Sequence, residues 1–231
     1  MSGGTKKAIL YLTIALAAVA LPALAGYLAQ DLYLNKNWGQ VEPGLYRSGL
    51  SYPVLTEKFL RKHHVDLIVS LLYREDSDPS QVAEVRAARD LGIPFLRFPL
   101  AGDGMPAGGE ERIDIHVAAV EAIWRAREEG KTVLVHCAAG AYRTGAVVAL
   151  YQLLVRGLPP DQVYSQMLRY NYKLVNKNLP DGALIKFLNR HMAEAAQMLQ
   201  QRGVIDQIPA QIPRLGPEAM PAQAATGQAA D

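Results

Sequence analysis

The chain has one cysteine, Cys137, in 231 residues. An internal disulfide is therefore excluded, and with it any metal site built on paired thiolates. No group of His, Asp and Glu shows metal-ligand spacing, so neither metal nor cofactor is expected. An excess of one charge is also missing. Lys plus Arg number 24 against 22 Asp plus Glu, and Lys6 and Lys7, in a first 24 residues without any acid, account for the whole net charge of +2. A neutral body of interspersed charges offers no electrostatic footprint for nucleic acid and disfavours a strongly polyanionic substrate. No internal repeat is visible, and no glycine run ends in the Gly-Lys-Ser/Thr of a nucleotide loop. Half of the residues are hydrophobic, enough for one core and a small appendage.

Charge is absent altogether from residues 8–30, which follow Lys6-Lys7 and end near Ala23-Leu24-Ala25-Gly26. A basic start, an apolar middle and an Ala-x-Ala site read as a secretory signal. At about 20 residues the run is equally long enough to span a bilayer uncleaved. Either way the lysines stay inside and the rest of the chain is exported, periplasmic or extracytoplasmic, with membrane association through residues 8–30 if the leader is kept. Residues 1–30 are thus signal or anchor, residues 31–203 the folded domain, and residues 204–231, rich in Pro, Ala, Gln and Gly without periodicity, a disordered tail. Export makes the lone thiol conspicuous, because an oxidising compartment penalises one whose reactivity is not wanted.

That thiol lies in Lys131-Thr-Val-Leu-Val-His-Cys-Ala-Ala-Gly-Ala-Tyr-Arg-Thr-Gly145. Residues 132–135 are an uncharged, β-branched run, the pattern of a strand covered on both faces. Residues 146–155 are apolar almost all round, as in a core helix. The loop between them presents unpaired N–H groups and the positive end of a helix dipole, a ready-made anion site. Cys137 opens that loop, where those donors favour its thiolate. Arg143 stands six positions on and can offer a planar fork to two phosphate oxygens. The chemistry implied is phosphoryl transfer to sulfur.

His136-Cys137-Ala-Ala-Gly140-Ala-Tyr-Arg143-Thr144 resembles the His-Cys-x-x-Gly-x-x-Arg-Ser/Thr signature of cysteine-dependent tyrosine and dual-specificity phosphatases. Trp38…Val41-x-Pro-Gly-Leu-Tyr-Arg-Ser-Gly49 is similar to the opening of the small atypical branch, some of whose members are exported. The resemblance spans roughly residues 38–202. It implies an α/β fold, a central, mostly parallel twisted sheet flanked by helices, here preceded by the apolar N-terminal helix. It also implies that the loop amides of Ala138, Ala139, Gly140, Ala141 and Tyr142, with Arg143, bind phosphate. Thr144 would donate to the departing thiolate, and His136 would orient the loop from behind. No role beyond strand pairing follows for Arg47 or Ser48.

A leaving oxygen needs a proton, and a carboxylic acid on a closing loop can supply it. The Gly-rich residues 101–109 hold Asp103, 34 positions before Cys137, which matches the place of the general acid in the resembled family. Asp76, Asp78 and Asp114 are weaker alternatives, and Arg74 is a candidate for lining the cleft. Helices are expected over residues 55–64, 80–91, 110–130, 160–170 and 182–202, and strands over 65–72 and 93–100. His116 reads as a surface histidine. Relatives acting on inositol phosphates tend to carry Lys or Arg in the loop, whereas Ala138, Ala139, Ala141 and Tyr142 are uncharged. The expectation is an exported phosphatase for a phosphorylated protein, phosphotyrosine first, with Tyr142 against the aryl group. An inositol-phosphate or phospholipid head-group phosphatase, a non-catalytic phosphate-binding module and a rhodanese-type sulfur-transfer protein remain alternatives.

Overall fold

The computed structural model describes residues 11–13, 16, 18–22, 36–173 and 182–219. The chain divides into two compact units, residues 1–35 and 36–231. Of the first unit, residues 11–13, 16 and 18–22 are helical and exposed. Among the described residues no helix is long and apolar enough to cross a membrane, and the remainder of the expected signal or anchor lies outside them.

The second unit is built on five strands, β1 (Gly39–Glu42), β2 (Leu45–Gly49), β3 (Leu67–Ser70), β4 (Phe95–Arg97) and β5 (Val133–Cys137), in the order β1-β2-β5-β3-β4. Only β1 pairs antiparallel, through the turn at Pro43-Gly44; the other three pairings are parallel. This is the mostly parallel α/β sheet expected. The central strand β5 is buried at all five positions, as a strand with a neighbour on each side and helices on both faces should be.

Alternation along β5 divides the interior. Val133, Val135 and Cys137 face the larger cluster, while Leu134 faces the smaller one. The larger cluster takes its helical residues from α3 (Asp114–Glu128), α4 (Tyr142–Leu150, continued by a π-turn over Tyr151–Val155), α5 (Pro160–Arg169) and α6 (Ala183–Gln201). The smaller takes Leu60 from α1 (Thr56–Lys62) and Ala87 and Ala88 from α2 (Pro79–Asp90). Asp78 caps α2 by accepting from the Ser80 amide at 2.8 Å, with Pro79 at the first helical position. Strands β3 and β4 are shorter than their apolar runs, although flanking amides still bond across the sheet, Leu71 N–H to His136 O at 2.9 Å and Phe98 N–H to Ser70 O at 2.9 Å.

One expectation about the chain's end fails. Residues 204–219 are not a disordered tail: Val204 and Leu215 are buried in the core. Asn189 brackets Leu215, donating Nδ2 to its carbonyl at 2.7 Å and accepting from its amide at 2.8 Å. Periodicity finds helices and strands, but an irregular segment can seat single apolar side chains without any period. Residues 220–231 lie outside the described ones.

Candidate active site

Strand β5 runs two residues further than its β-branched stretch, so Cys137 is its last residue and not the first of the loop. Residues 138–141 then turn the chain into α4. Gly140 has φ +71°, and a Cβ there would lie 2.5 Å from the Ser48 carbonyl carbon, so the position excludes a side chain.

The loop carbonyls are tied from outside. The Leu50 amide donates to the Ala138 oxygen at 3.2 Å. Asn37 Nδ2 donates to Ala139 O at 2.7 Å, and Arg47 Nη2 to Gly140 O at 2.7 Å. In a planar trans peptide, a carbonyl drawn outward turns the next residue's N–H inward. Gly140 shows the consequence, its amide pointing at Cys137 Sγ from 3.2 Å. The loop curves into a bowl about the sulfur, with the Gly140 and Thr144 amides directed at it, and neighbouring segments hold that shape.

Cys137 is buried, which by itself raises a thiol's pKa. The Thr144 hydroxyl, the Arg143 guanidinium and the amides of Thr144 and Gly140 outweigh that, and the thiol sits below its ordinary value. The Thr144 hydroxyl makes no aligned hydrogen bond with any protein atom, so it acts on the sulfur by proximity. Behind the loop, His136 Nε2 lies 3.1 Å from Glu84 Oε2, misaligned as a hydrogen bond but close as a charge contact. Burial works against protonating this imidazole, yet the Glu84 carboxylate prevails and raises its pKa.

Asp103 sits in a tight turn, half-buried, its Oδ1 accepting from the Met105 amide at 3.0 Å. The next residue, Gly104 (φ +91°), abuts the phosphate loop: a Cβ there would be 3.1 Å from the Tyr142 carbonyl carbon. Asp103 is thereby brought beside the bowl. The alternatives are engaged elsewhere. Asp78 caps α2, Asp76 pairs with Arg74 at 2.8 Å on the exposed surface, and Asp114 opens α3, 3.4 Å from Arg112. Arg74 accordingly points to solvent and not into the cleft. Tyr142 is anchored, its hydroxyl donating to Lys173 O at 3.1 Å and its ring edge-on to Tyr172.

Residues 40–176, more than half of the chain, match the family described as Swiss Army Knife protein, DSP-PTPase phosphatase domain. The chain belongs to this family. It is an atypical cysteine-based phosphatase, as the bowl and its thiol imply. No curated protein sequence matches it. The fold is similar to the core catalytic domain of the PP-IP phosphatase SIW14 from S. cerevisiae (15% identity, TM-score 0.56, 75% of this chain and 97% of that one). It is also similar to Tk-PTP (18%, 0.52, 70% and 97%) and to a DUF442 phosphatase from Shewanella putrefaciens (24%, 0.50, 72% and 95%).

Three features of this phosphatase escape sequence reasoning. Arg47, 1% exposed in β2, reaches beneath the loop with its guanidinium 4.1 Å from the centre of the Tyr170 ring. Asn37 is itself held by Asn171 Nδ2 at 2.6 Å, 134 residues away. His116 is not a surface residue but fully buried, with Nε2 2.8 Å from Gly104 O. A carbonyl can only accept, so Nε2 carries the proton, and burial pulls the imidazole's pKa down to about 4. A signal existed for Arg47, a lone charge inside the short strand Leu45–Gly49. For Asn37 and His116 there was none, since each acts on a backbone oxygen supplied by a distant segment.

Proposed function

We propose that this phosphatase hydrolyses phosphate monoesters of protein side chains, phosphotyrosine first, through a phosphocysteine. The Cys137 thiolate attacks phosphorus in line; the P–O bond to the leaving oxygen breaks as Asp103 protonates that oxygen. Water then attacks the phosphocysteine and passes a proton to Asp103, and the sulfur departs as thiolate with the Thr144 hydroxyl as donor. Arg143 and the amides of residues 138–143 hold the equatorial oxygens, each preorganised donor contributing about 3 kcal/mol. The N-terminal pattern supports placing the domain outside the cytoplasm, soluble after cleavage or anchored through residues 8–30.

One observation carries this reading: an amide bowl prepared around an activated thiol, in which the loop side chains Ala138, Ala139 and Ala141 bring no charge for a second phosphate. SIW14, which shares the fold, is a PP-IP phosphatase, so inositol phosphates are the comparison substrate. Turnover of a phosphotyrosyl peptide, a phosphoseryl peptide and inositol polyphosphates at matched concentrations tests the reading. A preference for the phosphotyrosyl peptide is expected, and preference for the inositol compounds would replace it. Mass measurement of the mature N-terminus from cell fractions decides between cleavage and anchoring.

A further inference from the structure

Arg47 carries more than strand pairing requires. Its Nη2 donates to Gly140 O, while Nε and Nη1 are buried with no hydrogen-bond partner. Among the described residues no carboxylate forms an ion pair with it. A buried cation without a counter-ion costs several kcal/mol, and a methionine would fill the same space without that penalty. Packing alone does not account for it.

The register supplies a reason. Arg47 pairs with Val135 and Gly49 with Cys137, so Arg47 emerges on the same face of the sheet as the sulfur, one strand away. The Tyr170 ring lies against the guanidinium and Gly140 O takes its hydrogen bond, so two partners orient the fork. Gly140 O and the Ala141 N–H are opposite ends of one rigid peptide unit, so the hydrogen bond beneath the loop turns the Ala141 amide into the bowl.

We infer that Arg47 is a positioning residue for the phosphate site: through the Gly140 carbonyl it aims the Ala141 amide at the bound oxyanion, and from behind the loop it adds a second positive charge to Arg143. The inference rests on the proposed phosphatase reaction, but its test does not require turnover. The full-chain parent, Arg47→Met and Arg47→Lys are compared for tungstate affinity, for the pH midpoint of iodoacetate inactivation, for kcat and KM on p-nitrophenyl phosphate, and for Tm.

Arg47→Met is expected to weaken tungstate binding about tenfold or more, as loss of a charge-assisted hydrogen bond implies. It should also raise the alkylation midpoint and lower kcat more than it raises KM. Arg47→Lys should return the midpoint towards the parent value while leaving tungstate binding weak, because an ammonium lacks the reach and the flat fork. A folded Arg47→Met protein with parental tungstate affinity and midpoint would overturn the inference. Should the Met variant not fold, parental tungstate affinity in Arg47→Lys overturns it equally. A parent that binds tungstate without hydrolysing any ester sinks the proposed reaction alone, and Arg47 is then judged on affinity and midpoint. A parent that binds no tungstate removes both.

Discussion

The phosphate loop and the Asp103 loop lie against each other yet are held in opposite ways. The first takes its restraints from far along the chain: Leu50, Asn37 and Arg47 each bind one of its carbonyls. The second restrains itself, with Asp103 on the Met105 amide, the Ala101 amide on Met105 O, and the Gly104 amide on Ala101 O. Among the described residues its tie to a helix is the hydrogen bond from His116 Nε2 to Gly104 O. An anion cradle works best when its dipoles need no rearrangement as charge develops. A proton donor on a loop with few outside ties can close over substrate and withdraw. The difference in tethering fits the two jobs that the proposed reaction gives these loops.

The sharpest test is the sulfur itself. Cys137→Ser should reduce hydrolysis of p-nitrophenyl phosphate to the uncatalysed background while leaving Tm near the parent's, since one buried atom changes and the tethers do not. Next comes the loop's shape. Gly140→Ala places a Cβ 2.5 Å from the Ser48 carbonyl carbon at φ +71°. It should cost about 1–3 kcal/mol in denaturant unfolding, the range for a strained backbone residue, and abolish tungstate binding.

Asp103→Asn separates the two loops. It should lower kcat by about 10²–10⁴ for esters with poor leaving groups and much less for p-nitrophenyl phosphate, with tungstate affinity unchanged. Equal rates at every leaving-group pKa would remove Asp103 from the proton transfer.

The tie between the loops is readable in pH. The His116 pKa falls on folding from 6.5 to about 4, so between these values the unfolded chain binds more protons and stability drops on acidification. The full shift is worth about 3 kcal/mol. His136 and His191, raised by Glu84 and by Glu111 with Glu194, contribute oppositely, losing stability as pH rises through their folded values. His116→Gln should therefore flatten the acid side alone, between about pH 6.5 and 4, in urea unfolding measured across pH. The smallest effect is expected of Asn37→Ala. Its bond to Ala139 O is exposed to water, and kcat/KM should fall by less than about tenfold, the equivalent of one ordinary hydrogen bond.

Much of the site is legible in the sequence. Residues 132–135 announced a buried strand, and the spacing of Cys137, Gly140, Arg143 and Thr144 announced an anion loop, because local backbone and local chemistry are both written in consecutive residues. The helix over α3 was equally plain, with Ile113, Val117 and Val120 on one face and all three buried. His116 reads as a surface residue because its neighbours in sequence say nothing of the Gly104 carbonyl that it meets in the core. Residues 204–219 read as a tail because Leu215 finds its place through Asn189, 26 positions earlier.

By itself the sequence determined the positions of Cys137 and Arg143, the strand–loop–helix that carries them and the α/β class, all properties of short stretches with a period or a fixed spacing. Only the tertiary structure decided what makes the loop a cradle. The bonds that turn its peptides come from residues 37, 47 and 50, brought there by the parallel pairing of β2 with β5. A hydrogen bond between residues 93 positions apart leaves no trace in local pattern, because the closure that creates it is achieved by the core and not by either partner.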